Sequence, residues 1–295
     1  MADPAKPVAG ARNPCPFSFG LSRLRWYNLR GMLREHSGGI IYYRFASLAR
    51  CDGLIHGVFT RLGGVSFLPF AELNVSRCVG DDPQAVEANL ALICEALGIS
   101  PENLVTAKQV HGAEVAVVGP KTMGKAIPEA DALVTDVPGV FLMLRFADCV
   151  PIALCDPLRR AVGLVHAGWR GTINELVRKA VSTMEEAYGC HPSDMVAGIG
   201  PSIGPCCYRV GEELGRLVKE KLADWPLLLR RGEDRSLYLD LWEANRRQLV
   251  EAGIERIEVA GICTACHSDE FFSHRAEGGR TGRFAVVIGM VRDDG

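Results

Sequence analysis

Between residues 132 and 187 the chain alternates short aliphatic runs with tight turns and then changes to a helical period. The runs over 132–135, 140–146, 152–155 and 161–166 are too short for helices and are bounded by Gly, Pro or Asp, so they read as strands. Directly after them, entered through Gly171-Thr172, Ile173, Leu176, Val177, Ala180, Val181, Met184 and Ala187 recur at helical spacing. This is the clearest amphipathic helix in the sequence. Strands that first adjoin one another and then alternate with helices restrict the chain to an α/β class, a single domain of mixed β-sheets packed against helices.

The flanks extend the same pattern. Strands are expected over 40–45 and 53–60, the second running into the turn Arg61-Leu62-Gly63-Gly64. Asp82-Pro83 has the form of an N-cap acid with proline at the first helical position. Val86, Leu90, Ile93, Cys94 and Leu97 then recur at helical spacing up to Gly98, a fitting C-cap. Further strands are expected over 115–118, 195–199, 256–260 and 284–291, and helices over 211–223 and 240–252. The segment 200–205 is too rich in Gly and Pro for regular structure, and 225–235 reads as a surface loop. Residues 1–38 stand apart, with Pro4, Pro7, Pro14, Pro16 and a scatter of arginines without a period. They are expected to be a tail or an overlong start ahead of Met32, in preference to a transit peptide, leaving 39–295 as the domain.

Composition narrows the function classes. A formal net charge of −2 gives no electrostatic footprint for nucleic acid or a membrane surface. No apolar run approaches the roughly 20 residues that span a bilayer. Eleven cysteines, an odd number, with no apolar leader point to reduced thiols in the cytoplasm. Most of them, Cys94 for instance, are expected to be small core residues.

The residues with chemistry cluster between Ala147 and Thr172. Cys149 follows Asp148 in ADC, His166 precedes a Gly- and Arg-containing turn in VHAGWRGT, and His111 lies upstream in QVHG. Each sits at the edge of an apolar run, where a strand end would present it. One thiolate and two imidazoles suit an open zinc site, three protein ligands with the fourth position left for water or substrate. The separations of 38 and 17 residues do not match a zinc finger, so the fold would have to assemble the site. Arg170, at the start of the expected helix, would make an anion site with the helix N-terminus. Gly168 and Gly171 imply a close approach to the backbone there. Ser202 lies in a formal G-x-S-x-G, but no helix follows it, so it reads as a structural loop. Cys263 and Cys266 in CTACH resemble half of a zinc or redox motif, but with no second pair at ribbon spacing and no upstream H-x-E they read as a structural or incidental pair beside the pocket. After them, Phe271-Phe272-Ser273-His274-Arg275 would suit stacking a base and holding a ribose or phosphate.

Read in order, HGVFTRLGGVS (56–66), LNVS (73–76), VGDDPQAVEANL (79–90), QVHG (109–112), ADALVTD (130–136), ADCVPIALCDP (147–157), VHAGWRGT (165–172), GIGPSIGPCCYRVG (198–211), DLWEANRRQL (240–249), CTAC (263–266) and FFSHR…TGRFAVVIG (271–289) make the sequence similar to one family. It resembles the multicopper polyphenol oxidoreductase (laccase-like) family of purine nucleoside phosphorylases, over nearly all of the globular region. Phe146 departs from the threonine usual before ADC.

The resemblance implies a single-domain α/β fold and zinc held at His111, Cys149 and His166. It also implies phosphorolysis of adenosine, inosine and methylthioadenosine, with deamination of adenosine. Asp148 joins the expected catalytic set. Arg61, Asn74, Arg170, Ser273, His274 and Arg275 are the expected substrate contacts, and the expected partners are small molecules bound by a monomer. Two other chemistries use the same residues. Cys149 and His166 could act as nucleophile and base of a thiol hydrolase or deamidase. A copper-dependent polyphenol oxidase is the other: copper is possible at these donors but less expected than zinc, because a blue-copper centre with a three-copper cluster is histidine-hungry and the chain has seven histidines. A non-catalytic partner of cell-division or envelope proteins is a third reading.

Overall fold

The expected strands resolve into two large sheets laid face to face, in a computed structural model that describes residues 32–292. The first sheet has seven strands: β1 (Met32–Ser37), β2 (Ile40–Phe45), β3 (Leu54–Phe59), β4 (Leu104–Ala107), β6 (Ala126–Ile127), β8 (Phe141–Phe146) and β16 (Phe284–Met290), in the order β1-β2-β3-β16-β8-β4-β6. The second has six: β5 (Val115–Val117), β7 (Ala132–Thr135), β9 (Val150–Asp156), β10 (Ala161–Ala167), β11 (Val196–Ile199) and β15 (Arg256–Val259), in the order β15-β11-β9-β10-β7-β5. A small third sheet joins β12 (Arg209–Val210), β13 (Leu229–Arg231) and β14 (Leu237–Leu239).

Alternation along each strand divides the side chains between two cores. On β8, Leu142, Leu144 and Phe146 face the second sheet, whose Ala153, Cys155, Val162 and Leu164 face back. Phe141 and Met143, on the opposite face of β8, pack with Ile93 and Cys94 of α1 (Pro83–Leu97). The outer face of the second sheet, through Ile152, Leu154 and Val165, meets Val177, Ala180, Val181 and Met184. The fold is therefore a helix–sheet–sheet–helix sandwich in one domain. Central strands covered on both sides read as unbroken apolar runs, which is why β8, β9, β10 and β16 are legible in the sequence.

Several expectations need correction. The helix expected from Ile173 onward is two, α2 (Trp169–Ile173) and α3 (Leu176–Tyr188), separated by Glu175 in a left-handed conformation with φ 57°. Arg170 therefore belongs to a short preceding turn of helix, not to the long one. The stretch 225–235, read as a loop, contains α5 (Trp225–Leu228) and β13. The tail boundary drawn at residue 38 falls inside a hairpin, because Met32–Ser37 pairs antiparallel with β2. That strand reads MLREHS and is largely exposed, so it carries no apolar signal. The rest of the expected tail, with the targeting alternatives, lies outside the described residues. Elsewhere the capping signals hold: Asp82 accepts from the Gln84 N–H, and Gly98 closes α1 at φ 64°. The remaining helices are α4 (Glu212–Lys221) and α6 (Leu241–Glu251). Among the described residues no helix is long and apolar enough to cross a membrane.

Candidate metal centre and active site

Strand pairing alone brings the distant residues together. β9 and β10 are antiparallel with Ala167 opposite Val150, so Cys149, just before β9, comes alongside the end of β10. On the other flank of β10, Ala132 of β7 pairs with Val165, which sets Asp131 beside His166. β5 is parallel to β7, Val115 opposite Ala132, and the turn preceding it carries His111. The donor atoms of His111, Cys149 and His166 lie within 4.8 Å of one another. The two imidazole centroids are 5.0 Å apart, edge to face at 74°.

Asp131 is the keystone of this arrangement. Its carboxylate accepts the backbone N–H groups of Val110 (3.2 Å), His111 (3.0 Å) and Gly112 (2.7 Å), which fixes the turn bearing His111. The same carboxylate lies 2.8 Å from His166 Nδ1. Taking that ring nitrogen as the donor leaves Nε2 for a metal, the carboxylate–histidine arrangement common around ligating imidazoles. Burial works against the Asp131 charge, but the bonds from His166 and Gly112 outweigh it and hold the carboxyl below its ordinary range. Burial also opposes a charge on Cys149, yet His166 and His111 pull its thiol down to about 6. Burial likewise pushes His166 down, and Cys149 and Asp131 more than reverse this, lifting it to about 9.

Two glycines stand close to the donors. A Cβ added at Gly168 would stand 3.1 Å from Cys149 Sγ and 3.5 Å from the His111 ring, so a larger residue there would press on the thiol. One added at Gly171 would stand 3.2 Å from the Gly112 carbonyl. The close approach signalled by these two glycines is thus the protein's own. One thiolate and two imidazoles make a donor set suited to zinc, with a coordination position left open.

Asp148 adopts φ 86°, a left-handed geometry that non-glycine residues occupy at a cost of roughly 1–2 kcal/mol. Its Oδ1 accepts the hydroxyls of Thr264 and Ser273, both at 2.7 Å, and its Oδ2 accepts the Arg275 N–H at 2.7 Å. Three bonds on one carboxylate lock the turn that presents Cys149.

Above the three donors opens a cleft of about 1230 Å³ that takes in Asp148, Tyr208 and a rim of cations. Of the expected substrate contacts, Arg170, His274 and Arg275 line it; Arg61, Asn74 and Ser273 do not. Arg61 is engaged inside the fold, bonded to the Ala71 and Ser268 carbonyls and to Glu277 at 2.9 Å, with its guanidinium over Phe272. Asn74 is buried, holding the Ser76 carbonyl and Asp81 while accepting the Arg283 N–H. Ser273 is buried against Asp148. Phe271 and Phe272 are fully buried, so the aromatic faces of the cleft are Trp169 and Tyr208. Arg170 lies over the Trp169 ring at 4.3 Å and Arg275 over Tyr208 at 5.3 Å. Phe146 packs on His166 with centroids 5.4 Å apart. Ser202 is structural, as expected, its hydroxyl accepting the Trp242 indole N–H at 2.6 Å.

Sequence reading missed Asp131, Arg145 and Arg283. Asp131 stood in plain view in ADALVTD, but an acid ahead of a strand has no distinctive spacing. Arg145 and Arg283 both line the cleft, and burial lowers the pKa of each. Arg283 is held by its Nη1 on the Thr281 and Gly282 carbonyls at 2.9 and 2.8 Å. The TGRF match contained it.

Comparison with known proteins gives a consistent result. The family model described as multi-copper polyphenol oxidoreductase laccase matches residues 55–291. The chain is 41% identical over 247 residues, 80% of this chain and 90% of the other, to a protein named purine nucleoside phosphorylase YlmD from Geobacillus stearothermophilus. It is 36% identical over 254 residues, 83% and 94% of the two chains, to one named purine nucleoside phosphorylase from Bacteroides thetaiotaomicron. The crystal structure of YlmD from Geobacillus stearothermophilus superposes with a TM-score of 0.83 at 38% identity, covering 89% of this chain and 99% of that one.

Proposed function

As the chain belongs to the multi-copper polyphenol oxidoreductase laccase family, we propose that it is a zinc-dependent purine nucleoside phosphorylase for adenosine, inosine and methylthioadenosine, with adenosine deamination as a second activity. The carrying observation is the convergence of His111, Cys149 and His166 at the base of an arginine-rimmed cleft. The names of the relatives supply the substrate class.

In phosphorolysis a phosphate oxygen forms the bond to the ribose C1′ as the C1′–N9 bond breaks. The electron pair leaves with the purine, which takes up a proton at a ring nitrogen. Arg170, Arg275 and Arg283 present positive charge and directed N–H groups to the phosphate. Tyr208 and Trp169 offer flat faces to the base. Asp148 acts as a positioning group, holding the turn that carries Cys149. Asp131 fixes the tautomer of His166 and the turn of His111. In deamination, water adds at C6 of adenine and ammonia leaves. His111, Cys149 and His166 would hold the zinc, which would supply Lewis acidity to the reaction.

One observation favours a second reading. Cys149, His166 and Asp131 also form a nucleophile–base–acid series, with the thiol held at about 6, so a thiol hydrolase is the alternative. Copper oxidation is the weaker alternative. Among the described residues only two groups of three or more donors could hold a metal, and neither is a histidine-rich cluster of the kind three coppers require.

The deciding experiment is metal analysis of wild type and Cys149→Ala, followed by incubation with adenosine in the presence and absence of phosphate. The expected outcome is one zinc fewer per chain in the variant. Wild type alone should form adenine in a phosphate-dependent reaction, and inosine without phosphate. Equal metal in both proteins, a readily alkylated Cys149 and no purine product would instead establish the thiol hydrolase.

A further inference from the structure

Away from the cleft floor, four cysteines that lie far apart in sequence meet at one end of the second sheet. β11 and β15 are parallel neighbours, so the loops that follow them leave the sheet side by side. The first carries Cys206-Cys207 and the second Cys263-Thr264-Ala265-Cys266. Backbone bonds stitch the loops together: the Ser202 N–H to the Ile262 carbonyl at 3.2 Å, and the Thr264 N–H to the Ser202 carbonyl at 3.0 Å. Cys266 Sγ is 3.4 Å from Cys207 Sγ and 3.6 Å from Cys206 Sγ, and all four sulfurs lie within 4.8 Å of one another. Cys206 and Cys263 are buried and the other two half-buried.

We propose that Cys206, Cys207, Cys263 and Cys266 form a second metal site, a closed tetrathiolate centre for zinc, distinct from the centre at His111, Cys149 and His166. Metal–sulfur bonds of about 2.3 Å in a tetrahedron put neighbouring sulfurs about 3.8 Å apart. The sulfurs here already stand around that separation. Such spacing suits a single ion, whereas a polynuclear iron–sulfur cluster holds its cysteines farther apart. Two more features suit thiolates in place of thiols. The Gly204 N–H donates to Cys263 Sγ at 3.2 Å, the kind of backbone bond that stabilises a charged sulfur. Two guanidiniums are bonded to the same loop, Arg230 to the Pro205 carbonyl at 3.3 Å and Arg275 to the Cys207 and Arg209 carbonyls at 3.3 and 2.9 Å. They place positive charge beside a centre that would be net negative.

With four protein ligands the centre has no open position, so its role is structural. It joins two loops that both reach the turn bearing Cys149. The Ile203 N–H donates to the Asp148 carbonyl at 2.9 Å, and Thr264 donates to the Asp148 carboxylate at 2.7 Å. Tyr208, in the cleft wall, follows Cys207 directly.

The test is zinc content of the full-length chain, purified without chelator, in wild type, Cys149→Ala and the double variant Cys263→Ser/Cys266→Ser. About two zincs per wild-type chain, falling to about one in each variant, is the expected pattern. If the first centre holds no metal, the second still predicts one zinc that survives in Cys149→Ala and disappears in the double variant. Should the double variant not fold, X-ray absorption at the zinc edge of the wild type decides. Two centres average about 2.5 sulfurs per zinc, and the Cys149→Ala protein should show about four. A zinc content the double variant leaves unchanged, or about one sulfur per zinc in the wild type, overturns the proposal. So does finding these four cysteines paired as disulfides in the native protein.

Discussion

Asp131 shows how much of a candidate metal centre can rest on a residue outside its three donors. Its carboxylate gathers three consecutive backbone N–H groups and one ring nitrogen, so the position of His111 and the tautomer of His166 depend on the same two oxygens. Asp131→Asn keeps the size and removes the charge, and it cannot serve all four bonds as an acceptor. The expected outcome is a 10–100-fold loss of zinc affinity with the fold preserved. Competition against a chromogenic chelator measures it, with circular dichroism as the control, and an unchanged affinity would show the carboxylate to be incidental. His111, Cys149 and His166 were expected to share a site because a thiol and two imidazoles sit beside turns at strand ends and because the family resemblance implies zinc there. Arg61 and Asn74 were expected at the substrate, but they are fold-internal residues, since a short motif does not reveal which way a side chain turns.

At the scale of single elements, two departures from simple periodicity have measurable consequences. The apolar pattern runs on without interruption across Asn174 and Glu175, so the sequence reads as one helix. Only the chain path, turning from the end of β10 onto the outer face of the sheet, imposes the left-handed residue between α2 and α3. Glu175 is exposed there, so Glu175→Gly should relieve the strain and raise unfolding stability by about 1 kcal/mol in urea denaturation. A loss of stability would mean that the flexibility of glycine outweighs the relief. On β3, His56 is buried, accepting the Phe45 N–H at 3.0 Å on Nε2, and burial lowers its pKa to about 4. Below pH 6.5 the unfolded chain protonates this imidazole, while the folded chain does not until about pH 4. Stability should therefore fall as pH drops through that window, by about 3 kcal/mol from this residue. Urea midpoints of wild type and His56→Gln across pH 4 to 7 should diverge accordingly, and parallel curves would remove His56 from the account.

Over the whole molecule, the two sheets are locked together where β2 of the first meets β11 and β15 of the second. Gly198 of β11 faces the Phe45 ring of β2 so closely that an added Cβ would stand 2.7 Å from it. Glu258 of β15 reinforces the junction by accepting the Ala46 and Ser47 N–H groups at 3.1 and 2.7 Å. Gly198→Ala should cost about 1–3 kcal/mol by overpacking this junction, read as a lower melting temperature. A melting temperature equal to wild type would mean that the sheets slide apart without penalty.

Strands covered on both faces announced themselves as apolar runs, helix α1 through its caps and period, and the α/β class through their order. Those features follow from local chemistry, so the sequence alone determined them; it pointed to His111, Cys149 and His166 as candidate donors chiefly through the family resemblance. The tertiary structure decided what depends on pairing across the chain. It set Asp131 beside His166 through the antiparallel β7–β10 pair, turned Arg283 to the cleft and Arg61 away from it, and let Met32–Ser37 form an edge strand on β2 despite a polar sequence. It also brought Cys206-Cys207 against Cys263 and Cys266, because β11 and β15 run parallel and their following loops emerge together. A residue carries its own donors in the sequence, but which donors share a site is fixed only by strand register.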